Sequence, residues 1–236
     1  MKELIPQNEI LCNAIINQSQ EGMIYVDNTD HPHSFFIRNS LGAYFVDGDI
    51  HNMQFVEWLI EYLKNTKNHK VYYDLYASSE EWLDSIEKEL SGNVVRLGRI
   101  NFEYNENLNS VKSSKLCLPE TYRLVEMNEK LYEKYVAEID SSYAMIFPSA
   151  HDFVTTSFGY CILHEDEFVS TCNAYHISKK HAEVDVWTNK NYRNKGYATI
   201  VVNAFVNRCK NKGLQAQWNA DKGNVASIHL AKKCGF

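Results

Sequence analysis

The sequence predicts a two-domain α/β (α+β) protein, in which a mixed, mostly antiparallel sheet with flanking helices follows a smaller α/β domain. Three observations carry that prediction. The chain has 236 residues, too many for one small module and about right for two domains of roughly 100 residues each. Hydrophobic residues make up 44% and aromatic residues 13%, enough apolar side chain for packed cores, which excludes a largely disordered chain. Short β runs alternate with helical apolar periods in both halves, and the chain closes on two βα units in series.

In the first half, residues 23–26, 35–38 and 43–46 read as three short strands of a meander, separated by polar turns rich in Asp, Asn, His and Gly. Phe55, Val56, Leu59, Ile60 and Leu63 recur at helical intervals, ahead of a β-rich run over 71–76. Ser78 or Ser79 can cap a second helix whose face is Trp82, Leu83, Ile86 and Leu90, ended by Gly92. Residues 94–104 read as a further strand. Residues 105–115 are Asn- and Ser-rich without a sustained period, so the predicted domains are 1–115 and 116–236.

In the second half, a strand over 122–125 leads to Asn128, which can cap a helix carrying Leu131, Tyr135, Val136 and Ile139. A shorter helix follows around 149–155. Residues 159–163 and 168–177 form a predicted hairpin across an acidic turn, and 182–188 a further strand. The next segment is strand, small-residue loop, helix: Arg193-Asn194-Lys195-Gly196-Tyr197-Ala198 runs directly into an apolar helix through Ile200, Val201, Ala204, Phe205 and Cys209 up to Gly213. A strand over 214–219 and a helix that Asn224 can cap complete the chain.

The formal charge of -6 and pI near 5.9 argue against affinity for nucleic acid or anionic membranes. The start lacks a basic cluster followed by an apolar core, and no run is long enough to span a bilayer, so a cytoplasmic location is expected. Six cysteines without CxxC spacing or His partners suggest buried thiols, and no metal is expected. His31 and His33 flank Pro32 as an HxH pair with no third ligand nearby.

The loop before Gly196 carries chemistry. Free N–H groups at a helix N-terminus and the positive end of its dipole attract an anion, Gly196 and Ala198 allow close approach to the backbone, and Arg193 and Lys195 add charge. The Walker and Rossmann glycine signatures are both absent.

These residues resemble the GNAT superfamily of N-acetyltransferases. Residues 193–198 match its R/Q-x-x-G-x-G/A pyrophosphate signature, and Asn224-x-x-Ser227-x-x-Leu230 with Lys233-x-Gly235-Phe236 matches its second coenzyme-A motif. The resemblance covers about the second half of the chain, from near Pro119 onward. The extra N-terminal module, with Thr188 ending the strand before the signature, is similar to the zwittermicin A resistance type. The resemblance implies a GNAT-like fold with acetyl-CoA as cosubstrate and no metal. It implies that strands 183–188 and 214–219 splay to admit pantetheine, and that the loop from Arg193 and Asn194 through Lys195, Gly196, Tyr197 and Ala198 holds the pyrophosphate. Asn224, with Ser227 in the same motif, would meet pantetheine, and the Val186, Trp187 and Thr188 edge would bind its amides and stabilise the oxyanion. The expected activity is acetyl transfer to the amine of a small-molecule acceptor by direct attack in a ternary complex. Resemblance to the resistance type suggests an aminated natural product as that acceptor.

An amine must lose its proton before it attacks, and Glu183 and Asp185, two apart on one strand face, are the candidate bases, Glu183 first and His176 behind them. The usual tyrosine acid of the family is replaced by Ala231, so Tyr197, Tyr160 or water would protonate the thiolate. Family members continue for two strands beyond the Gly-Phe pair, whereas this sequence stops at Phe236. The expectation is therefore either a truncated chain or an edge covered by another segment; an uncovered edge would favour a homodimer. These two departures favour, as an alternative, a non-catalytic protein that binds coenzyme A or an acyl-CoA as sensor or assembly module. The first half repeats the element order of the second and reads as a degenerate copy, with Asp47 and Asp49 repelling phosphate where the loop would sit.

Overall fold

The computed structural model describes residues 6–18, 20–69, 73–109 and 117–236, and contacts divide it between Leu97 and Gly98. The first unit holds α1 (Pro6–Ile16), β1 (Gly22–Val26), β2 (Ser34–Asn39), β3 (Ala43–Gly48), α2 (Met53–Lys64), β4 (Asp74–Ala77) and α3 (Glu80–Glu89). Its sheet runs β1-β2-β3-β4, antiparallel except for the parallel β3–β4 pair. Period-2 alternation splits the strands between two cores. Phe36, Tyr44 and Val46 meet Phe55, Leu59 and Leu63 of α2 and Trp82 and Ile86 of α3, while Ile37 and Phe45 meet Leu11 and Ile15 of α1 on the other side. Sequence reading found no helix at α1. Val71 and Tyr72 of the expected strand before α3 lie outside the described residues.

The second unit holds β5 (Arg99–Glu103), β6 (Tyr122–Glu126), α4 (Glu129–Glu138), α5 (Tyr143–Ile146), α6 (Ala150–Thr156), β7 (Gly159–His164), β8 (Glu167–Ile177), β9 (His181–Thr188), α7 (Tyr197–Lys212), β10 (Gln215–Asp221) and α8 (Val225–Lys233). The sheet order is β5-β10-β9-β8-β7-β6, with β9 and β10 parallel and every other neighbouring pair antiparallel. α7 fixes one face through Val201, Val202, Phe205, Val206 and Cys209, packed with Val169, Cys172, Ala174 and Val184 of the sheet. Each such side chain, fully buried, stabilises the unit by about 1.5–3 kcal/mol. Phe168 and Tyr175 of β8 turn to the other face, where their rings meet Tyr135 of α4 and Tyr143 of α5. In α4 the buried pair is Tyr132 and Tyr135, so Tyr132 takes the inward place expected of Leu131.

Two expectations change here. The strand at 94–104, read from sequence with the first half, is β5, and it pairs antiparallel with β10 of the second unit from Gln217–Glu103 to Asp221–Arg99. It therefore covers the β10 edge that the sequence left open, and β5 becomes the terminal strand of that sheet. The repeated order is also matched in topology. β1-β2-β3-β4, with α2 between the parallel pair and α3 after it, repeats β7-β8-β9-β10 with α7 and α8.

Candidate functional site

β9 and β10 pair over three positions only, His181 with Gln215, Ala182 with Ala216 and Glu183 with Gln217. Beyond Glu183, β9 stays with β8 as far as Thr188, while β10 stays with β5 as far as Asp221. The two strands part at Glu183. The Asn189 N–H donates to the Val169 carbonyl, and the Trp187 carbonyl accepts the Ser170 hydroxyl at 2.9 Å, so odd-numbered peptide groups of β9 point at β8. Alternation then turns those of Val184, Val186 and Thr188 into the gap. Arg193 Nε donates to the Thr188 carbonyl at 3.2 Å from that side. Trp187, grouped with its neighbours from sequence, has its main chain turned the other way.

The loop after β9 brings the N-terminus of α7 to the open end of this gap. Asn194 (φ +62°) and Gly196 (φ +87°) both adopt the left-handed region, and Gly196 is the N-cap residue with no side-chain cap bond. The contrast within the protein is direct: Asn52, Ser79, Asn128, Ser149 and Asn224 cap α2, α3, α4, α6 and α8 with their side chains. The first-turn amides of the 16-residue α7 thus face the loop without a side-chain acceptor, at the positive end of the dipole. Lys195 Nζ stands 5.4 Å over the Tyr192 ring, and the Tyr192 hydroxyl donates to Glu167 at 2.8 Å, which anchors the loop to the hairpin. The Tyr197 ring stacks on Tyr122 at 5.2 Å, so this residue offers the loop its backbone only. This donor set fits a diphosphate. In the first unit Asn52 already occupies the matching helix end, accepting from Phe55 N at 3.2 Å.

At the second motif, Asn224 Oδ1 accepts from Ser227 N at 3.1 Å, and the Ser227 hydroxyl accepts from Trp218 Nε1 at 2.9 Å. The Asn224 oxygen is spent on its own helix, which leaves its amide nitrogen as the group a ligand would meet.

The two carboxylates share the face of β9 away from α7, but their surroundings differ. Asp185 accepts from the buried Tyr143 hydroxyl at 2.6 Å and from Tyr135 at 3.5 Å. Thr171 and Asn173 of β8 stand near the Tyr135 hydroxyl. Burial outweighs both phenol bonds, and Asp185 titrates above the ordinary carboxylate range. Glu183 is half-buried and makes no hydrogen bond through its carboxylate among the described residues. Burial raises it to about 7, with Arg99 of β5 pulling it down and Asp185 pushing it up. A carboxylate poised near neutrality, at the point where two strands part, can exchange a proton at physiological pH. Sequence reading missed Tyr143, Tyr135 and Arg99, because only the folded sheet brings them to this face.

The remaining candidates stand elsewhere. His176 is buried, and burial lowers its pKa to about 4, so it stays neutral and structural. Tyr160 of β7 pairs with Cys172 of β8, two strands from β9, near the charges of Glu126 and Arg208. Tyr197 points to β6, and Ala231 is fully buried in the α7 core. Among the described residues, no three His, Cys, Asp or Glu side chains are placed to hold a metal ion, and no helix is long and apolar enough to cross a membrane.

Comparison with known proteins places these features in a family. A family model described as GNAT acetyltransferase matches residues 2–236. The chain is 30% identical over 223 residues to the uncharacterized N-acetyltransferase YdfB of Bacillus subtilis (strain 168), covering 94% of this chain and 84% of that protein. Among solved structures, a GCN5-related N-acetyltransferase-like protein from Streptococcus suis 89/1591 superposes with a TM-score of 0.65 at 23% identity, covering 91% of this chain and 83% of that one. A tandem GNAT protein from the clavulanic acid biosynthesis pathway gives 0.59 at 10% identity over 92% of this chain and 80% of its own.

Proposed function

This chain belongs to the GNAT acetyltransferase family, and from that premise we propose that it moves an acetyl group from acetyl-CoA to the amine of a small-molecule acceptor by direct attack in a ternary complex. The observation that carries the reading is the parting of β9 and β10 at Glu183, opening toward the uncapped end of α7. Acetyl-CoA supplies a thioester whose acyl carbon is open to a neutral amine. The loop amides at 196–198, with Arg193 and Lys195 alongside, hold the diphosphate. Peptide groups of Val186 and Thr188 in the gap hold the pantetheine arm, and an N–H there supports negative charge on the acyl oxygen. Glu183 takes the proton of the acceptor ammonium so that its lone pair is free as the C–N bond forms and the C–S bond breaks. Asp185, held by Tyr143 and Tyr135, keeps that stretch of β9 in register and raises the basicity of Glu183. Water returns a proton to the sulfur.

The replacement of the family's tyrosine acid by the buried Ala231 favours one rival, a protein that binds coenzyme A or an acyl-CoA without turnover. Calorimetry with acetyl-CoA followed by a thiol-release assay over an amine panel separates the two. Binding with thiol release supports the transferase; binding without release on any amine supports the rival; no binding refutes both.

A further inference from the structure

The face of the second sheet that carries Glu183 continues across β10 onto β5. Register and alternation set Glu183 beside Gln217, and Gln217 beside Glu103; the next pairs on the same face are Asn219 with Asn101 and Asp221 with Arg99. The opposite face of β10 is accounted for, since Ala216, Trp218 and Ala220 are buried against α7 and α8. On β5 the three side chains Arg99, Asn101 and Glu103 are exposed. Glu103 is engaged by Gln217 Nε2 at 3.3 Å. Arg99 is different. Its Nε donates to Asn219 Oδ1, which draws the guanidinium back along the strand toward Glu183, and among the described residues no carboxylate is in ion-pair contact with it. A cation is thus hydrogen-bonded to a neutral partner, with Asp221 opposite it on the neighbouring strand, on the face that leads to the proposed base.

We propose that Arg99 binds a carboxylate of the acceptor, so that the acceptor is a small amine of amino-acid type, with its carboxylate a few bonds from the reacting nitrogen. This deepens the transferase reading and rests on it. Asn219, which holds the guanidinium, lies two residues beyond the partner of Glu183 and one strand over, a backbone offset of about 8 Å. Arg99 stands on this face among the carboxylates of Asp221, Glu103 and Glu183, so it offers a substrate carboxylate a local contact rather than a broad positive field.

The test is a thiol-release assay with acetyl-CoA on matched acceptors, the L-amino acids and β-alanine against their own carboxamides. Wild-type protein should prefer the acid of the best pair by about 10- to 100-fold in kcat/KM, the usual worth of a charged hydrogen bond. Arg99→Gln should bring the ratio of acid to amide close to one by raising KM for the acid, and Arg99→Lys should restore part of the preference. Thermal melts of each variant identify loss of β5 pairing, and the comparison of acid with amide on unmodified protein needs no variant at all. Amides turned over as well as acids by the wild type, or a ratio unchanged in Arg99→Gln, would overturn the assignment and leave the transferase reading standing. Absence of thiol release from every acid and amide, despite acetyl-CoA binding, would overturn both.

Discussion

Glu183→Gln should move activity and stability in opposite directions. In the folded protein the Glu183 carboxyl titrates near 7 rather than the ordinary 4.5, because burial outweighs the attraction of Arg99. Between those two values the native state holds a proton that the unfolded chain has lost, so stability falls as pH rises through that window and is lowest above it. The difference of about 2.5 units corresponds to roughly 3 kcal/mol that the charged side chain subtracts from native stability at pH 8. Gln cannot ionise, so the variant should unfold at higher urea than the wild type at pH 8, by up to about 3 kcal/mol, and match it at pH 4. Its maximal rate should drop by about 10²- to 10⁴-fold, with acetyl-CoA affinity little changed, and the wild-type rise in kcat/KM through pH near 7 should disappear. Urea titrations followed by tryptophan fluorescence at pH 4, 6 and 8, beside the thiol-release assay, measure both effects. A variant that turns over at the wild-type rate would remove Glu183 from the role of base. A variant no more stable than wild type at pH 8 would show that the carboxylate is not under strain.

Gly196→Asp keeps a residue type that tolerates the left-handed φ of +87° but places a negative charge at the uncapped end of α7; calorimetry should show acetyl-CoA binding at least about 30-fold weaker, with the melting temperature nearly unmoved. An unchanged dissociation constant would move the diphosphate site elsewhere. Tyr143→Phe deletes the 2.6 Å bond to Asp185 inside the protein and should lower urea stability by about 1–3 kcal/mol; a neutral result would mean that Asp185 is satisfied by other groups. Gly159→Ala should destabilise by about 1–3 kcal/mol, because a Cβ there would stand 1.9 Å from Asn173 Oδ1, and a native-like denaturation curve would contradict that packing.

Local patterns made much of the fold legible, and they did so where a residue's neighbours along the chain decide its state. The strands at 23–26, 35–38 and 43–46 fall within β1, β2 and β3, and the apolar set of α2 is buried as its period implies. Asn128 and Asn224 cap the helices that follow them. The loop around Gly196 was equally legible, since the glycine and the basic residues that suggest an anion site are contiguous. What the sequence hid are relations between distant segments. β5 reads as a strand from its own alternation, but nothing in residues 99–103 names β10 as its partner, 114 positions away at Glu103 and Gln217. Asp185 and Glu183 look equivalent on one strand; they separate only when Tyr143 and Tyr135 arrive from α5 and α4. The surroundings of the two alternative tyrosines were hidden for the same reason: Tyr160 sits on β7 beside Cys172 of β8, and the Tyr197 ring stacks on Tyr122 of β6.

The β5–β10 pairing also has a consequence for biosynthesis. At about 5–20 residues per second, the ribosome needs roughly 6–23 s after Glu103 is made before Gln217 exists to receive it. Throughout that interval a strand waits with its backbone donors and acceptors unclaimed, the condition under which nascent chains stick to one another. Its Arg-x-Asn-x-Glu alternation supplies the polar and charged groups that discourage such contacts, so the same three side chains serve as solubilising guards before they become part of the finished wall.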